Sequence, residues 1–396
     1  MKVLVIGGGA SGLIASIYAS KNNDVTILEK DSQIGKKLLV TGNGKCNYWN
    51  ENQDISNYNT NNIDILKHIL IDENKKEILD LFDRIGIIPR IKNGYYYPYS
   101  NQATSIQTGL IKEIKNKDVN IITDCEVLDI DYDKCFKIKT NKGIYEADKV
   151  IISTGSYASK KQVKNIGYDI AKKFNHKIIE PKPGLVSLIA EGNFFKDWKG
   201  IRCDVELTYD ENIEIGEAQL TDYGISGVCV FNLSSKIINN LDKNNILKIN
   251  FVPFLNIKTN NELIAFLNKR NKLMENRTIS ELLDGFLNYK LVNTILKLSN
   301  IKKDDYFDNL SDLQKDNLAH NLLNFELKII KPNDFSFAQT CSGGIPLDEI
   351  NPNTMESLKQ NGLYFTGEIL DVDGKCGGYN LEFAFVSGLI AGDNID

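Results

Sequence analysis

Two short stretches of this sequence concentrate the residues that could do chemistry. Residues 7–12 read GGGASG and residues 35–47 read GKKLLVTGNGKCN. Gly7, Gly9 and Gly12 satisfy G-x-G-x-x-G, a spacing in which each glycine has its own physical task. Gly7 permits a tight turn. Gly9 lets the backbone approach a pyrophosphate with no Cβ in the way, and Gly12 lets a helix pack closely on a strand. A helix opening at Ala10 and Ser11 then presents free N–H groups and a positive dipole end to phosphates. Glu29 follows the first glycine by about twenty residues, where a carboxylate can accept hydrogen bonds from a ribose diol. In the second stretch, Lys36, Lys37, Lys45 and Cys46 are candidates for anion binding or catalysis. Gly42, Asn43 and Gly44 would bring backbone against a ligand.

The elements that must position these groups are legible in outline. The apolar run at 2–6 suits a strand buried on both faces, followed by the glycine turn and a helix from about Ala10 to Lys21. This reading is preferred to a signal peptide, because the glycine spacing has a structural purpose. Residues 24–29 form a second buried strand, with Lys30 just after it. Residues 63–85 and 104–116 have helical periodicity. A run of short strands from NIIT (120–123) through 147 looks like a β-meander, and KVIIST (149–154) returns to a buried strand. From about 185 the pattern alternates, at 201–209 and 212–220, as in an antiparallel β domain. Residues 220–235 turn apolar and 259–325 are mostly helical. LYFTGE (363–368) is a further strand, and 380–392 a glycine-punctuated helix. The fold class is therefore α/β: a Rossmann-like dinucleotide domain of the glutathione-reductase type over 1–185 and 331–396. A β-barrel-like plus helical domain is inserted over 186–330.

The carboxylate at Glu29 disfavours a 2′-phosphate and so NADP at this position. Two distant segments point to FAD. VIISTGS resembles the strand that closes many FAD domains, placing Thr154 and Gly155 near the cofactor. GLYFTGEILDVDG resembles the segment whose acidic residue binds the ribityl chain, with Gly367 beside it, Glu368 the first candidate and Asp371 the second. In GGYNLEFAF, a helix starting near Asn380 would aim its N–H groups at the flavin pyrimidine edge and favour negative charge on the reduced ring. Gly377 and Gly378 would allow close approach there, and Tyr379, Asn380 and Leu381 belong to the same contact. A plain N-cap by Asn380 is compatible with that role.

GKKLLVTGNGKCN, GGIPLDEINPNTMES and GLYFTGEILDVDGKCGGYNLEFAFVSG together closely resemble the HI0933-like flavoproteins. These are also called the aminoacetone oxidase family and include YhiN-like and BaiN-like NAD(P)/FAD-dependent oxidoreductases. The resemblance extends over essentially the whole chain, including LTDYGISG in the inserted region. It implies FAD contacts from the fingerprint, from the 35–47 loop (Lys37, Thr41, Gly42, Asn43, Cys46, Asn47), from backbone near Val127 beside adenine, and from the GGYN helix. One family member is linked to reduction of conjugated double bonds in oxo-bile acids, so enone reduction is a family activity. This chain departs from the common pattern at Lys45, where Arg is usual, and at Asp222 and Val228, where His and Pro are frequent. These last two put the specificity of the TDYGISG loop in question. At Cys376 the family often carries another small residue.

The function expected is an FAD-dependent oxidoreductase acting on a small molecule, with hydride passing through flavin N5. NAD(P)H would be a transient donor, because no second G-x-G-x-x-G is present. Cys46, whose thiol Lys45 could activate, and Tyr223 are the weak catalytic candidates, with Cys341 and Cys376 behind them. A non-catalytic flavin module that senses redox state or engages a partner is the alternative, and RNA modification is an analogy of fold alone. The net charge of −5 and pI near 5.5 argue against general affinity for nucleic acid. Seven scattered cysteines without a CxxC, and three isolated histidines, argue against a metal site, a disulfide framework or a Ser-His-Asp triad. A reducing, cytoplasmic setting fits them, and no segment is long and apolar enough to span a bilayer.

Overall fold

In a computed structural model, residues 1–159, 164–274 and 276–395 are described. The chain divides into two compact units, Met1–Lys182 with Thr340–Asp396, and Pro183–Gln339.

The first unit is built on a five-stranded parallel sheet. Its order is Leu363–Phe365, Lys149–Ile152, Lys2–Ile6, Asp24–Leu28, Asn120–Ile122. The central strand is buried along Val3–Ile6, as its unbroken apolar run requires. At its carboxyl end the chain turns through Gly7, with φ of +101°, into the helix Ala10–Ala19. The N-terminal segment is thus strand, turn and helix. A Cβ on Gly12 would overlap the carbonyl oxygen of Gly7, so this glycine sets how tightly helix and turn pack. The C-terminal helix Tyr379–Asp393 crosses the fingerprint helix through two more glycines. A Cβ on Gly388 or Gly392 would overlap the carbonyl of Ser11 or Ala15.

The expected meander proves shorter. Asn120–Ile122 joins the parallel sheet, because Ile121 lies opposite Ile27. Only Val127–Tyr132, Phe136–Thr140 and Gly143–Ala147 form the antiparallel sheet. The helical region 63–85 is two helices, Ile63–Ile69 and Asp72–Arg84. A small sheet unread in the sequence pairs Trp49–Asn50 with Tyr95–Pro98, and that strand with Pro89–Lys92.

The second unit holds a closed six-stranded barrel. Its order is Leu188–Ala190, Gly224–Ser226, Asn212–Leu220, Arg202–Tyr209, Ile246–Asn250, Phe325–Pro332, and the last strand pairs back to the first. The strand Phe325–Pro332 runs through position 330, and Gln339 N–H donates to Leu185 C=O. The helices Asn260–Leu273, Ile279–Asp284 and Asp312–Leu323 each begin with a Thr or Ser capping box, which supplies two of the hydrogen bonds a helix start lacks. Among the described residues no helix is long and apolar enough to cross a membrane.

Candidate cofactor site

The fingerprint, the 35–47 loop and the C-terminal TGE segment come together in the first unit. Gly35 N–H donates to Gly8 C=O at 2.7 Å, and a Cβ on Gly8 would lie 2.5 Å from Ile34 Cγ2, so the start of the loop packs directly on the glycine turn. Lys37 Nζ then pairs with Glu368 Oε2 at 2.5 Å, tying the loop to the TGE segment. Gly367 sits at φ of +72°, where its missing Cβ leaves room for Ser11 Oγ at 2.6 Å. Ser11 is buried and donates to Thr366 C=O. Three segments far apart in sequence therefore converge at the head of the fingerprint helix.

The residues present fit FAD. A Cβ on Gly9 would meet nothing within 4 Å, so Gly9 fronts an open cradle at the head of a helix with no side-chain cap and no acidic residue in its first turn. Such a head is a ready anion site. Glu29 is held in place by backbone: Oε2 accepts from Gly8 N–H and Oε1 from Asp31 N–H, each at 2.8 Å. Each oxygen keeps a lone pair for a ribose hydroxyl. Lys30 beside it is exposed. Cys125 N–H donates to Glu29 C=O at 2.8 Å, which brings the Val127 strand start alongside Glu29. Thr154 and Gly155 follow the neighbouring strand, and a Cβ on Gly155 would lie 3.9 Å from Glu368 Oε2. The loop residues Gly42, Asn43 and Gly44 are exposed with φ of +54°, +55° and +80°. A bound FAD would supply hydride chemistry at its flavin ring.

Several residues are placed otherwise than the sequence suggests. Cys46 is fully buried, and burial pushes its thiol up to about 11 despite a hydrogen bond from Thr41. Lys45 does not activate it. Cys46→Ser is therefore expected to retain the flavin spectrum and full turnover, and native protein should resist alkylation at this thiol; rapid loss of activity with iodoacetamide that Cys46→Ser abolishes would show the opposite. The Asn47 amide donates to Trp49 C=O at 3.0 Å and Tyr96 C=O at 3.1 Å, which makes it a brace for the small sheet. Asp371 is buried and accepts from the Asn61 backbone and side chain at 3.4 and 3.2 Å. Glu368 is thus the carboxylate that pairs with the loop. The C-terminal helix starts at Tyr379 behind Gly378, and Asn380 does not cap it. Asn380 instead clamps Gly374, accepting from its N–H and donating to its C=O, both at 2.8 Å. Gly377 and Gly378 serve contacts within the protein: Cβ atoms there would lie 2.6 Å from the Tyr95 ring and 2.7 Å from Trp49 backbone. Leu381 is half-buried in the same first turn. Tyr223 belongs to the second unit, where its hydroxyl donates to Ser187 Oγ at 3.2 Å. In the same loop Asp222 pairs with Lys199 at 2.5 Å and Val228 is exposed.

Two buried groups escaped the sequence reading. Glu382, in the first turn of the C-terminal helix, is fully buried, and burial raises its carboxyl to about 7 although Gln53 donates to it at 3.0 Å. The histidines are also less isolated in space than in sequence. His176 Nδ1 lies 2.9 Å from Glu349 Oε2 and Nε2 lies 2.6 Å from Ser357 Oγ. The order is that of a Ser-His-acid triad, yet all three residues are buried, and Ser357 Oγ already accepts from the N–H groups of Lys359 and Gln360. A serine so enclosed cannot meet a substrate carbonyl, and the triad is a structural brace. Among the described residues, no group of three or more His, Cys, Asp or Glu could hold a metal ion.

The chain matches the HI0933-like protein Rossmann domain over residues 1–394. It is 34% identical to a 3-dehydro-bile acid delta(4,6)-reductase of Clostridium scindens, covering 99% of this chain and 98% of that protein. Ribosomal RNA dihydrouridine synthases of Escherichia coli and Haemophilus influenzae are each 26% identical and cover 97% of this chain, with 95% and 96% of their own lengths matched. With a dinucleotide cradle at Gly9, a backbone-held Glu29 and a match to the family along its whole length, the chain belongs to the HI0933-like family and is an FAD-dependent oxidoreductase.

Proposed function

We propose that the protein reduces a carbon–carbon double bond conjugated to a carbonyl, with a nicotinamide dinucleotide as the electron donor. The observation that carries this reading is end-to-end similarity to relatives named for two different reductions. A 3-oxo-delta(4,6) bile acid and the uracil ring share one feature, an alkene polarised by a carbonyl. Reducing either takes a hydride at the β-carbon and a proton at the α-carbon, and the two electrons come from the nicotinamide. Residues of the first unit support the cofactor's part in this. The head of the fingerprint helix and Gly9 would take the pyrophosphate, and Glu29 the ribose. Glu368 would take the ribityl hydroxyls, with Lys37 holding it in place. Lys37 and the head of the C-terminal helix would favour negative charge on the reduced ring. The donor binds transiently, because the fingerprint accounts for the one dinucleotide cradle that the sequence offers.

The test is anaerobic. NADH or NADPH should bleach the bound flavin, and a 3-oxo-delta(4,6) steroid or a uridine oligonucleotide should restore its colour, while the saturated counterparts do not. Re-oxidation by amines or saturated ketones but by no conjugated alkene would refute the proposal. A flavin that no nicotinamide reduces would favour a non-catalytic sensor.

A further inference from the structure

The small sheet of the first unit has one face whose chemistry the cofactor does not use. Pro89–Lys92 and Tyr95–Pro98 close on Asn93–Gly94, both at positive φ (52° and 83°), as a tight two-residue hairpin requires. Residues paired across antiparallel strands share a face. Lys92 opposite Tyr95 and Arg90 opposite Tyr97 therefore stand on one side, and Asn50 opposite Tyr95 joins them. The other side carries Trp49, Tyr96 and Ile91. There Trp49 is buried and Tyr96 meets the buried Tyr48 edge-on, so that side faces the core.

The first side faces outward and abuts the glycine turn that opens the C-terminal helix. Asn50 Nδ2 donates to Gly377 C=O at 2.9 Å, and a Cβ on Gly377 would lie 2.6 Å from the Tyr95 ring. Arg90 and Lys92 are exposed, and among the described residues neither side chain makes an ion pair or hydrogen bond. Tyr97 is half-buried between them, and Tyr99, just past the strand, is 69% exposed. Pro89–Lys92 is an edge strand exposed along its whole length. Glu51 lies at the turn end, beside Gly94.

We propose that this face, formed by Arg90, Lys92, Tyr95 and Tyr97, is a stacking platform for a short single-stranded RNA presented to the flavin site. Interleaved aromatics and unpaired cations on an open surface match successive bases and phosphates. A steroid offers no repeating anions and calls for a concave apolar pocket. The chain's net charge of −5 governs general affinity and does not prevent a local cationic face. The inference rests on the reading that a carbonyl-conjugated alkene, here uracil, is the substrate.

The test uses the FAD-loaded full chain and a fluorescein-labelled oligouridine of about twelve nucleotides, a length within the usual range for such surfaces. Anisotropy should report binding that weakens with salt. Arg90→Ala with Lys92→Ala should bind about tenfold more weakly and lower the salt slope by about two, one per lost phosphate contact. Tyr97→Ala should also bind about tenfold more weakly, with the slope unchanged, because it removes stacking and not charge. Flavin absorbance and melting temperature show that each variant is folded, and Arg90→Glu with Lys92→Glu serves as a second charge variant. The platform is overturned if the unaltered protein does not bind the oligouridine at low salt, or if the charge variants bind it equally well. Re-oxidation of the flavin by a steroid enone without RNA binding overturns the platform and leaves the reductase reading standing. RNA binding that depends on these residues, with no conjugated alkene reduced, does the reverse.

Discussion

Gly9→Ala should give a folded protein that has lost its yellow colour. The backbone at Gly9 has φ of −80° and ψ of −170°, a conformation alanine adopts without strain. A Cβ there meets no protein atom within 4 Å. The change replaces one helix-capping residue by a poorer one, and the stability of the FAD-free protein should move by less than about 1 kcal/mol. The methyl group does enter the space in front of the helix head, where the pyrophosphate must come within hydrogen-bonding distance of backbone N–H groups. Affinity for FAD should fall by about a hundredfold, or about 3 kcal/mol.

Gly12→Ala is the contrasting case. Its Cβ would overlap the carbonyl of Gly7, so the helix must move off the turn, and overpacking of this kind costs about 1–3 kcal/mol in the FAD-free protein. Melting temperature without FAD, and flavin fluorescence quenching on titration with FAD, separate the two effects. Unchanged FAD affinity in Gly9→Ala would mean that no phosphate approaches that position.

The contrast also explains what was legible in the sequence. The fingerprint could be read because its glycines answer to local backbone geometry, and Glu29 because its distance from Gly7 is set by one strand–helix–strand unit. The apolar runs at 2–6, 24–28, 149–152 and 363–365 announced a parallel sheet, since a strand covered on both faces has no reason to alternate. The roles of Asn380, Gly377 and Gly378 were not legible, because they depend on Gly374, Tyr95 and Trp49, which reach them only in the folded chain. Cys46 misled for a similar reason. A neighbouring lysine suggests a lowered pKa, but burial sets the sign, and burial is a tertiary property. The hairpin at 89–98 carried a usable signal in its Asn-Gly pair before a tyrosine run. The brace of Glu349, His176 and Ser357 carried none, because its members are spread over more than a third of the chain and show no motif.

That brace predicts how the protein responds to acid. Ser357 Oγ accepts two backbone N–H groups, so its own proton points to His176 Nε2, which must be unprotonated to receive it. His176 Nδ1–H then donates to Glu349, whose Oε2 also accepts from Lys177 N–H at 2.9 Å. Both sites of a neutral imidazole are satisfied, and a second ring proton would face the Ser357 hydroxyl proton. Burial accordingly lowers the His176 pKa below its ordinary 6.5, although Glu349 pulls the other way. Burial alone would raise the Glu349 carboxyl, but the Lys177 N–H, His176 and Lys359 outweigh it and hold it below 4.5. The sign is the same for both groups. Below pH 6.5 the unfolded chain binds a proton at His176 that the folded protein resists, so stability is complete above 6.5 and is lost as pH falls. Glu349 adds a second loss below 4.5. His176→Phe keeps the ring contact with Phe365, now 5.0 Å away, but leaves Ser357 and Glu349 each short of a buried partner, at a cost of about 3 kcal/mol at pH 8. Urea unfolding from pH 8 to pH 5 should show the unaltered protein losing stability below 6.5, and His176→Phe, less stable throughout, losing less over that window. Parallel pH profiles for the two proteins would place the titrating group elsewhere.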